Sequence, residues 1–124
     1  MNDLKKKILV VEDDPDIREI LQLKLSSAGF DVTTAATGLE GLNKVYQDSP
    51  HLIILDLMLP QLDGYQMCRI LKFDERYKDI PIIMLTGKAE DKSMKLGLKA
   101  GADKYLTKPF EPEHLLSEIR QFLL

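Results

Sequence analysis

Polar side chains follow four short apolar segments of this chain, each at or just past the point where the segment ends. They are the carboxylates of Glu12, Asp13 and Asp56, the hydroxyl of Thr86 and the amine of Lys108. Carboxylates placed close together repel one another, so either a proton or a cation must relieve the repulsion. Oxygen ligands supplied by few protein groups favour Mg²⁺ with several retained waters. We therefore predict a site that binds a hard cation and, beside it, a phosphoryl group.

The elements that must bring these residues together alternate between strands and helices along the chain. Strands are predicted where apolar residues run together or alternate, and helices where they recur at helical spacing. The predicted strands are Ile8–Val11, Asp31–Ala35, Leu52–Leu55, Ile82–Leu85 and Lys104–Leu106. The predicted helices begin after Asp14-Pro15, cover Gly38–Asp48, begin near Gly64, cover about Asp91–Lys99 and begin at Glu111-Pro112.

This alternation predicts an α/β fold in which helices cover both faces of a five-stranded parallel sheet. The flavodoxin-like, doubly wound order 2-1-3-4-5 buries the three most apolar strands and leaves the alternating strand Asp31–Ala35 at an edge. In such open sheets, ligands bind outside the carboxyl ends of the strands. The fold therefore predicts that the polar residues converge on one pocket.

The composition excludes several classes of function. A chain of 124 residues is expected to form one domain over residues 1–124. Its net charge of −3 offers no basic face for nucleic acid. The lone cysteine excludes an internal disulfide and fits a reducing compartment. Because no apolar stretch approaches the ~18 residues of a membrane span and no signal-peptide pattern opens the chain, we expect a cytoplasmic protein.

Asp56 is the predicted nucleophile, because it ends the most apolar strand and is followed by further apolar residues. A carboxylate can attack phosphorus to form an acyl phosphate, and a divalent cation assists such transfers. Lys108 supplies a positive charge and Thr86 a hydroxyl, while Gly87 lets its backbone N–H approach the phosphoryl group closely. The bond between Lys108 and Pro109 is either an ordinary trans bond or a cis bond that aims the lysine into the site.

Four segments of the chain resemble the receiver, or phosphoacceptor, domain of two-component response regulators. They are KILVVEDDPDIREIL, LIILDLMLPQLDGYQMCRILK, PIIMLTG and GADKYLTKPF, and with their spacings they cover Lys7 to Leu123. One such segment would be weak, whereas four in the expected order are specific. The resemblance implies a phosphorylation-activated signalling switch rather than an enzyme, with self-phosphorylation and autodephosphorylation as its only chemistry.

The resemblance also implies which residues hold the phosphoryl group and the metal. It makes Asp56 the phosphorylated residue, in a reaction that depends on Mg²⁺, with Mn²⁺ as an alternative. The implied metal ligands are the carboxylates of Asp13 and Asp56 and the backbone carbonyl of Met58, with Glu12 acting through water.

A second group of residues is implied to sense the phosphoryl group. Thr86, Gly87 and Lys108 are expected to contact it, and Pro109 is expected to follow a cis bond. Thr86 and the aromatic Tyr105 are expected to form the switch, with the aromatic ring rotating inward as Thr86 moves toward the phosphoryl group.

The partners implied by the resemblance are a phosphodonor and an output. The donor is a sensor histidine kinase, a phosphotransfer protein or a small molecule such as acetyl phosphate. The output is a downstream protein or a fused domain, controlled through the predicted fourth helix, the fifth strand and the last helix. We expect neither nucleic acid nor a membrane to bind directly. Lys104 and Glu118 reverse the charges typical of the branch that dimerises through this surface, so a phosphorylation-dependent homodimer stays open.

Other interpretations of these residues are weaker. Glu12 and Asp13 could cap a helix, but Asp14 is better placed to do so. A phosphatase with an aspartate nucleophile would need a second aspartate where the chain has Met58. A flavin-binding electron carrier would need a Ser/Thr/Gly-rich loop where the chain has EDDPD. A degenerate receiver, acting as an interaction module without phosphorylation, remains the alternative function, although the complete set of site residues argues against it.

Overall fold

The five predicted strands form one parallel sheet in the computed structural model, which describes residues 5–87 and 100–123. Their order is β2-β1-β3-β4-β5, as the alternation of elements predicts. The strands are β1 (Lys7–Val11), β2 (Asp31–Ala35), β3 (Leu52–Asp56), β4 (Ile82–Thr86) and β5 (Lys104–Thr107). Four of them are one residue longer than predicted, and in β3 and β4 that extra residue is the polar side chain of the expected site.

Four helices cover the sheet within the described residues. They are α1 (Pro15–Ser27), α2 (Gly38–Asp48), α3 (Gly64–Lys72) and α4 (Pro112–Leu123). The Asp14 carboxylate caps α1 by accepting hydrogen bonds from the backbone N–H groups of Asp16 and Ile17, as expected for a residue before a first-turn proline. The helix predicted near 91–99 lies outside the described residues.

The core consists of two apolar layers, one on each face of the sheet. Because successive side chains of a strand point to opposite faces, Leu9 and Val11 join α2 and α3, whereas Ile8 and Val10 join α1 and α4. The three central strands, β1, β3 and β4, are buried almost throughout. The polar residues at their ends are therefore held on a rigid support.

The inner face of α2 is a narrow stripe. Its buried residues are Gly38, Gly41, Leu42 and Val45, at the three- and four-residue spacing of one helical stripe. Leu39 and Tyr46 each lie one residue past this stripe and are 50% and 42% exposed.

None of the helices within residues 5–87 and 100–123 combines the length with the apolar character that crossing a membrane demands.

Candidate functional site

Three carboxylates meet at the carboxyl ends of β1 and β3. One oxygen each from Glu12, Asp13 and Asp56 lies within 4.8 Å of the others. The residues are neighbours because β1 and β3 pair in parallel, with Val11 opposite Leu55, so that the next residue of each segment, Glu12 or Asp56, lies at the same edge of the sheet. Glu12 and Asp56 are only 1% and 4% exposed, whereas Asp13 is exposed. The sequence predicted this convergence.

The amine of Lys108 bridges two of these carboxylates. Its Nζ lies 2.6 Å from Glu12 Oε1 and 3.2 Å from Asp56 Oδ2, and it donates a hydrogen bond to each. The lysine is brought there by its position directly after β5, where its backbone N–H donates to the carbonyl oxygen of Thr86 at the end of β4. Lys108 is therefore tied to three of the five strand ends.

The pKa shifts of Glu12 and Lys108 have different causes. Burial raises the pKa of the Glu12 carboxyl above its ordinary value, although the hydrogen bond from Lys108 acts in the opposite direction. For Lys108, burial alone would lower the pKa of the amine, but the hydrogen bond to Glu12 and the charge of Asp56 outweigh it and raise the pKa. The carboxyl is therefore shifted mainly by burial, and the amine by its two carboxylate partners.

The charges and ligand atoms of the site fit a divalent cation. Three carboxylates face one amine, so that two negative charges are left over when all four groups are ionised. Every ligand atom that these acids offer is an oxygen, which is the donor type that Mg²⁺ and Mn²⁺ accept. The acidic cluster therefore has both the charge and the chemistry for a hard cation.

The loop after β3 donates a hydrogen bond to the Asp56 carboxylate oxygen that Lys108 does not contact. The backbone N–H of Met58 donates to Asp56 Oδ1 at 3.2 Å, while Lys108 occupies Oδ2. Met58 is 62% exposed and therefore does not pack in the core. Met58 contributes to the site through its backbone, which lies in the loop between β3 and α3.

The remaining predicted residues lie along the ends of β4 and β5. Thr86 is fully buried opposite Thr107, and Gly87 follows it at an exposed position. Tyr105 is partly buried and packs against the core layer of α2 and α3. The peptide bond between Lys108 and Pro109 is cis, as the family resemblance implies.

Two contacts that support the site were missed by sequence reasoning. The guanidinium of Arg18, in the first turns of α1, donates to the carbonyl oxygen of Glu12 at 2.9 Å. The backbone N–H of Asp14 donates to Glu12 Oε2 at 3.1 Å. Both contacts fix the end of β1 against the start of α1. No sequence motif marks Arg18, because its role depends on a backbone carbonyl rather than on another side chain.

Comparison with known proteins places this fold and site in one family. The family model described as the response regulator receiver domain matches residues 8–120. The chain is 45% identical over 119 residues to the DNA-binding dual master transcriptional regulator RpaA of a Synechocystis species, an alignment that covers 94% of this chain and 48% of the relative. The chain therefore spans about half the length of the curated relatives that it matches.

Solved structures agree with this assignment. A putative response regulator from Chloroflexus aurantiacus is 38% identical, with a TM-score of 0.92 and coverage of 97% of this chain and 98% of that one. The receiver domain of the Pseudomonas aeruginosa sensor histidine kinase PA1611 is 32% identical, with a TM-score of 0.90 and coverage of 97% and 98%; it is described with a magnesium ion coordinated in its active-site cleft.

The parallel α/β fold and the acidic pocket at its strand ends define a class of phosphorylation-dependent signalling switches. This chain belongs to the response regulator receiver domain family. Members of this family are signalling modules rather than conventional enzymes.

Proposed function

We propose that Asp56 accepts a phosphoryl group from the phosphohistidine of a sensor histidine kinase or a phosphotransfer protein. The observation that carries this proposal is the position of its carboxylate. It is buried and fixed by Lys108 and by the Met58 N–H, and it lies beside the two further acids Glu12 and Asp13. In the transfer, a bond forms between an Asp56 oxygen and phosphorus as the bond between phosphorus and the donor nitrogen breaks.

Mg²⁺, or Mn²⁺ in its place, fits the acidic cluster as the cofactor of this reaction. Asp13, Asp56 and the backbone carbonyl of Met58 would hold the ion, and Glu12 would contact it through water. When bound, the ion neutralises charge on the carboxylates and on the phosphoryl oxygens. The two surplus negative charges of the site support this assignment.

The protein's own groups supply the rest of the stabilisation. Lys108 already lies 3.2 Å from Asp56, so its amine can shift from the carboxylates to a phosphoryl oxygen without a large movement of the side chain. Thr86 would offer its hydroxyl, and Gly87, which has no side chain of its own, its backbone N–H. These donors face the negative charge that phosphorylation adds.

The added phosphoryl group would bias an equilibrium between an inactive and an active conformation. Thr86 and Tyr105 would carry the change from the site to the surface formed by β5 and α4. The helix predicted near residues 91–99, which lies outside the described residues, would complete this surface. Moving the population from 1:99 to 99:1 requires about 5.5 kcal/mol of differential stabilisation, which several charge-assisted contacts can supply.

The recipient of this signal would be a separate output protein or an output domain of a longer chain. The DNA-binding relative RpaA is about twice as long as this chain, which supports the second arrangement. A phosphorylation-dependent homodimer through the same surface is also part of the proposal. In the described structure, Lys104 Nζ lies 3.7 Å from Glu118 Oε1 of the same chain, so a dimer would have to compete with this internal ion pair.

Intact mass after incubation with acetyl phosphate and Mg²⁺ tests the proposal. The wild type should gain one labile phosphoryl group, and Asp56→Asn should gain none because an amide oxygen is a poor nucleophile toward phosphorus. Asp13→Asn should be phosphorylated more slowly and should need more Mg²⁺. A wild type that stays unmodified with acetyl phosphate and with a histidine phosphodonor would indicate a degenerate receiver instead.

A further inference from the structure

The loop that carries Met58 rests on the first turn of α2 through a contact that only glycine permits. A Cβ at Gly38 would lie 1.7 Å from the carbonyl oxygen of Leu62, whereas ordinary contacts begin at 3.4 Å. Gly38 is buried and its partner is backbone, so no side-chain rotation can relieve such a clash. Any larger residue at position 38 must displace either the helix or the loop.

The helix is the less movable of the two. The Thr37 hydroxyl accepts a hydrogen bond from the Glu40 N–H at 3.0 Å, and the Glu40 carboxylate accepts one from the Ala36 N–H at 2.8 Å. One turn later, the Lys44 amine donates to the carbonyl oxygen of Thr34 in β2 at 2.6 Å. The start of α2 is therefore fastened to the sheet, and the loop would yield.

The loop has little slack with which to absorb a displacement. At its far end the Gly64 N–H donates to the carbonyl oxygen of Leu57 at 3.0 Å, and a Cβ at Gly64 would lie 2.1 Å from the carbonyl oxygen of Asp56. Between these points Gln61 has φ +69°, and the Leu62 N–H donates to the carbonyl oxygen two residues earlier at 2.8 Å, a tight and strained turn. A shift at Leu62 therefore reaches the residues near Met58.

We propose that Gly38 is a positioning residue for the acidic site. By letting Leu62 lie directly against α2, it fixes the backbone of Met58, whose N–H orients the Asp56 carboxylate. Gly38 touches neither the cation nor the phosphoryl group and acts only through the loop. This inference rests on the proposed function, since it assigns Gly38 a part in preparing the site for cation binding and phosphorylation.

The variant Gly38→Ala tests this role, with Gly41→Ala as its matched control. Both changes add one methyl group to a buried glycine of α2, but a Cβ at Gly41 would meet core side chains, with Val11 Cγ2 nearest at 2.8 Å. Isothermal titration would measure Mn²⁺ binding by each cation-free protein, alongside its denaturant unfolding. We expect Gly38→Ala to weaken Mn²⁺ binding ~10-fold, the lower end of the loss usual for groups that orient metal ligands, and Gly41→Ala to change it by less than ~2-fold.

Hydrogen exchange of the Met58 amide gives a second measurement that requires neither cation nor phosphate. It should accelerate in Gly38→Ala and stay at the wild-type rate in Gly41→Ala. If Gly38→Ala does not fold, Leu62→Ala serves instead: it removes the side chain that packs this part of the loop against the core layer of α2 and α3, and it should change exchange and Mn²⁺ affinity in the same direction. Equal losses of affinity in Gly38→Ala and Gly41→Ala, or a Leu62→Ala variant with unchanged exchange and affinity, would overturn the positioning role.

These outcomes separate the inference from the proposed function. A wild type that binds Mn²⁺ but is never phosphorylated would refute the proposed function, while the comparison of affinities would still decide the role of Gly38. If Gly38→Ala were phosphorylated as well as the wild type and at the same Mg²⁺ concentration, only the role of Gly38 would be refuted.

Discussion

The two ends of the sheet treat charged side chains in opposite ways. At the carboxyl ends of the strands, three carboxylates lie close together, and the Lys108 amine forms ion pairs with two of them. At the amino ends, Lys72 Nζ lies 2.8 Å from Asp103 Oδ2 in an ion pair. Both side chains also form hydrogen bonds with backbone atoms. The acidic cluster holds surplus negative charge, whereas the charges of the Lys72–Asp103 pair are balanced, and these two sites are called the surplus end and the balanced end below.

The balanced end joins four segments of the chain. The Lys72 amine, at the end of α3, donates to the carbonyl oxygens of Lys78 and Ile80 at 3.0 and 2.8 Å. The Asp103 carboxylate, just before β5, accepts a hydrogen bond from the N–H of Ile82, the first residue of β4, at 2.8 Å. These contacts hold the amino ends of β4 and β5 against α3.

The difference shows how the same residue types can serve stability or chemistry. Opposite charges that are paired one to one and hydrogen-bonded to backbone groups stabilise the folded state, because these contacts replace the lost contacts with water. Charges left in surplus oppose folding until a ligand of opposite sign arrives. Removing a carboxylate should therefore have opposite effects at the two ends of the sheet.

The largest expected effect comes from Asp103→Ala at the balanced end. It leaves the buried Ile82 N–H without its acceptor and the Lys72 amine without its carboxylate. We expect the free energy of unfolding to fall by about 2 to 3 kcal/mol, the cost of an orphaned buried donor plus a partly exposed ion pair. Urea denaturation measures the loss, and phosphorylation by acetyl phosphate should stay at the wild-type level.

A control and a local reporter make this result specific. Glu75→Ala removes the acid of a nearby ion pair whose carboxylate side chain is 87% exposed, and it should be nearly neutral. The buried thiol of Cys68, 3.5 Å from the carbonyl oxygen of Ala100, should become easier to alkylate in Asp103→Ala, since burial raises its pKa to about 11 in the intact fold. Equal losses of stability in the two variants would show that the Lys72–Asp103 pair stabilises the fold no more than an exposed ion pair does.

A smaller effect of opposite sign is expected from Asp13→Asn at the surplus end. The change removes one of three mutually repelling carboxylates, so the cation-free protein should gain about 0.2 to 1 kcal/mol, the usual range for exposed charge pairs. The same variant should lose most of the stabilisation that Mg²⁺ gives the wild type, because a cofactor stabilises a fold only as strongly as it binds. Thermal unfolding with a chelator and with Mg²⁺ measures both quantities.

Asp14→Asn is the matched control for this prediction. It removes an exposed negative charge at the neighbouring position, and asparagine can still accept the hydrogen bonds by which Asp14 caps α1. The response to Mg²⁺ should therefore stay at the wild-type level. If both variants lost the response equally, net charge rather than the acidic cluster would govern cation binding.

The sequence predicted the surplus end well and the balanced end not at all, for a physical reason. A carboxylate directly after an apolar strand can be recognised locally, and parallel pairing then brings such residues together without further information. Lys72 and Asp103 look like ordinary surface charges in a helix and a loop, and only the packing of α3 on the sheet joins them.

Contacts made by backbone were the second gap in the prediction. The residues expected around Asp56 were named from their side chains, so the hydrogen bond from Arg18 to the carbonyl oxygen of Glu12 and the contact of Gly38 with the carbonyl oxygen of Leu62 were not anticipated. The contact depends on the path of a loop, which the pattern of apolar residues does not specify.

The smallest expected effect is a pH dependence at the balanced end. His51 Nδ1 accepts a hydrogen bond from the backbone N–H of Lys7 at 2.9 Å, which joins the amino ends of β3 and β1. Burial, followed by the charges of Lys6 and Lys7, lowers the pKa of His51 below its ordinary value. A histidine with a lowered pKa in the folded state contributes stability above its unfolded pKa, and this contribution is lost as pH falls through the folded value.

Because His51 is exposed and solvent screens its charge, the contribution should be only about 0.3 kcal/mol. As the pH falls from about 7.5 to about 5, where histidine titrates, the free energy of unfolding should fall more steeply for the wild type than for His51→Ala. Taking the difference between the two proteins cancels the titration of carboxylates common to both. Parallel curves would show that the hydrogen bond between His51 and Lys7 adds nothing to the stability of this end of the sheet.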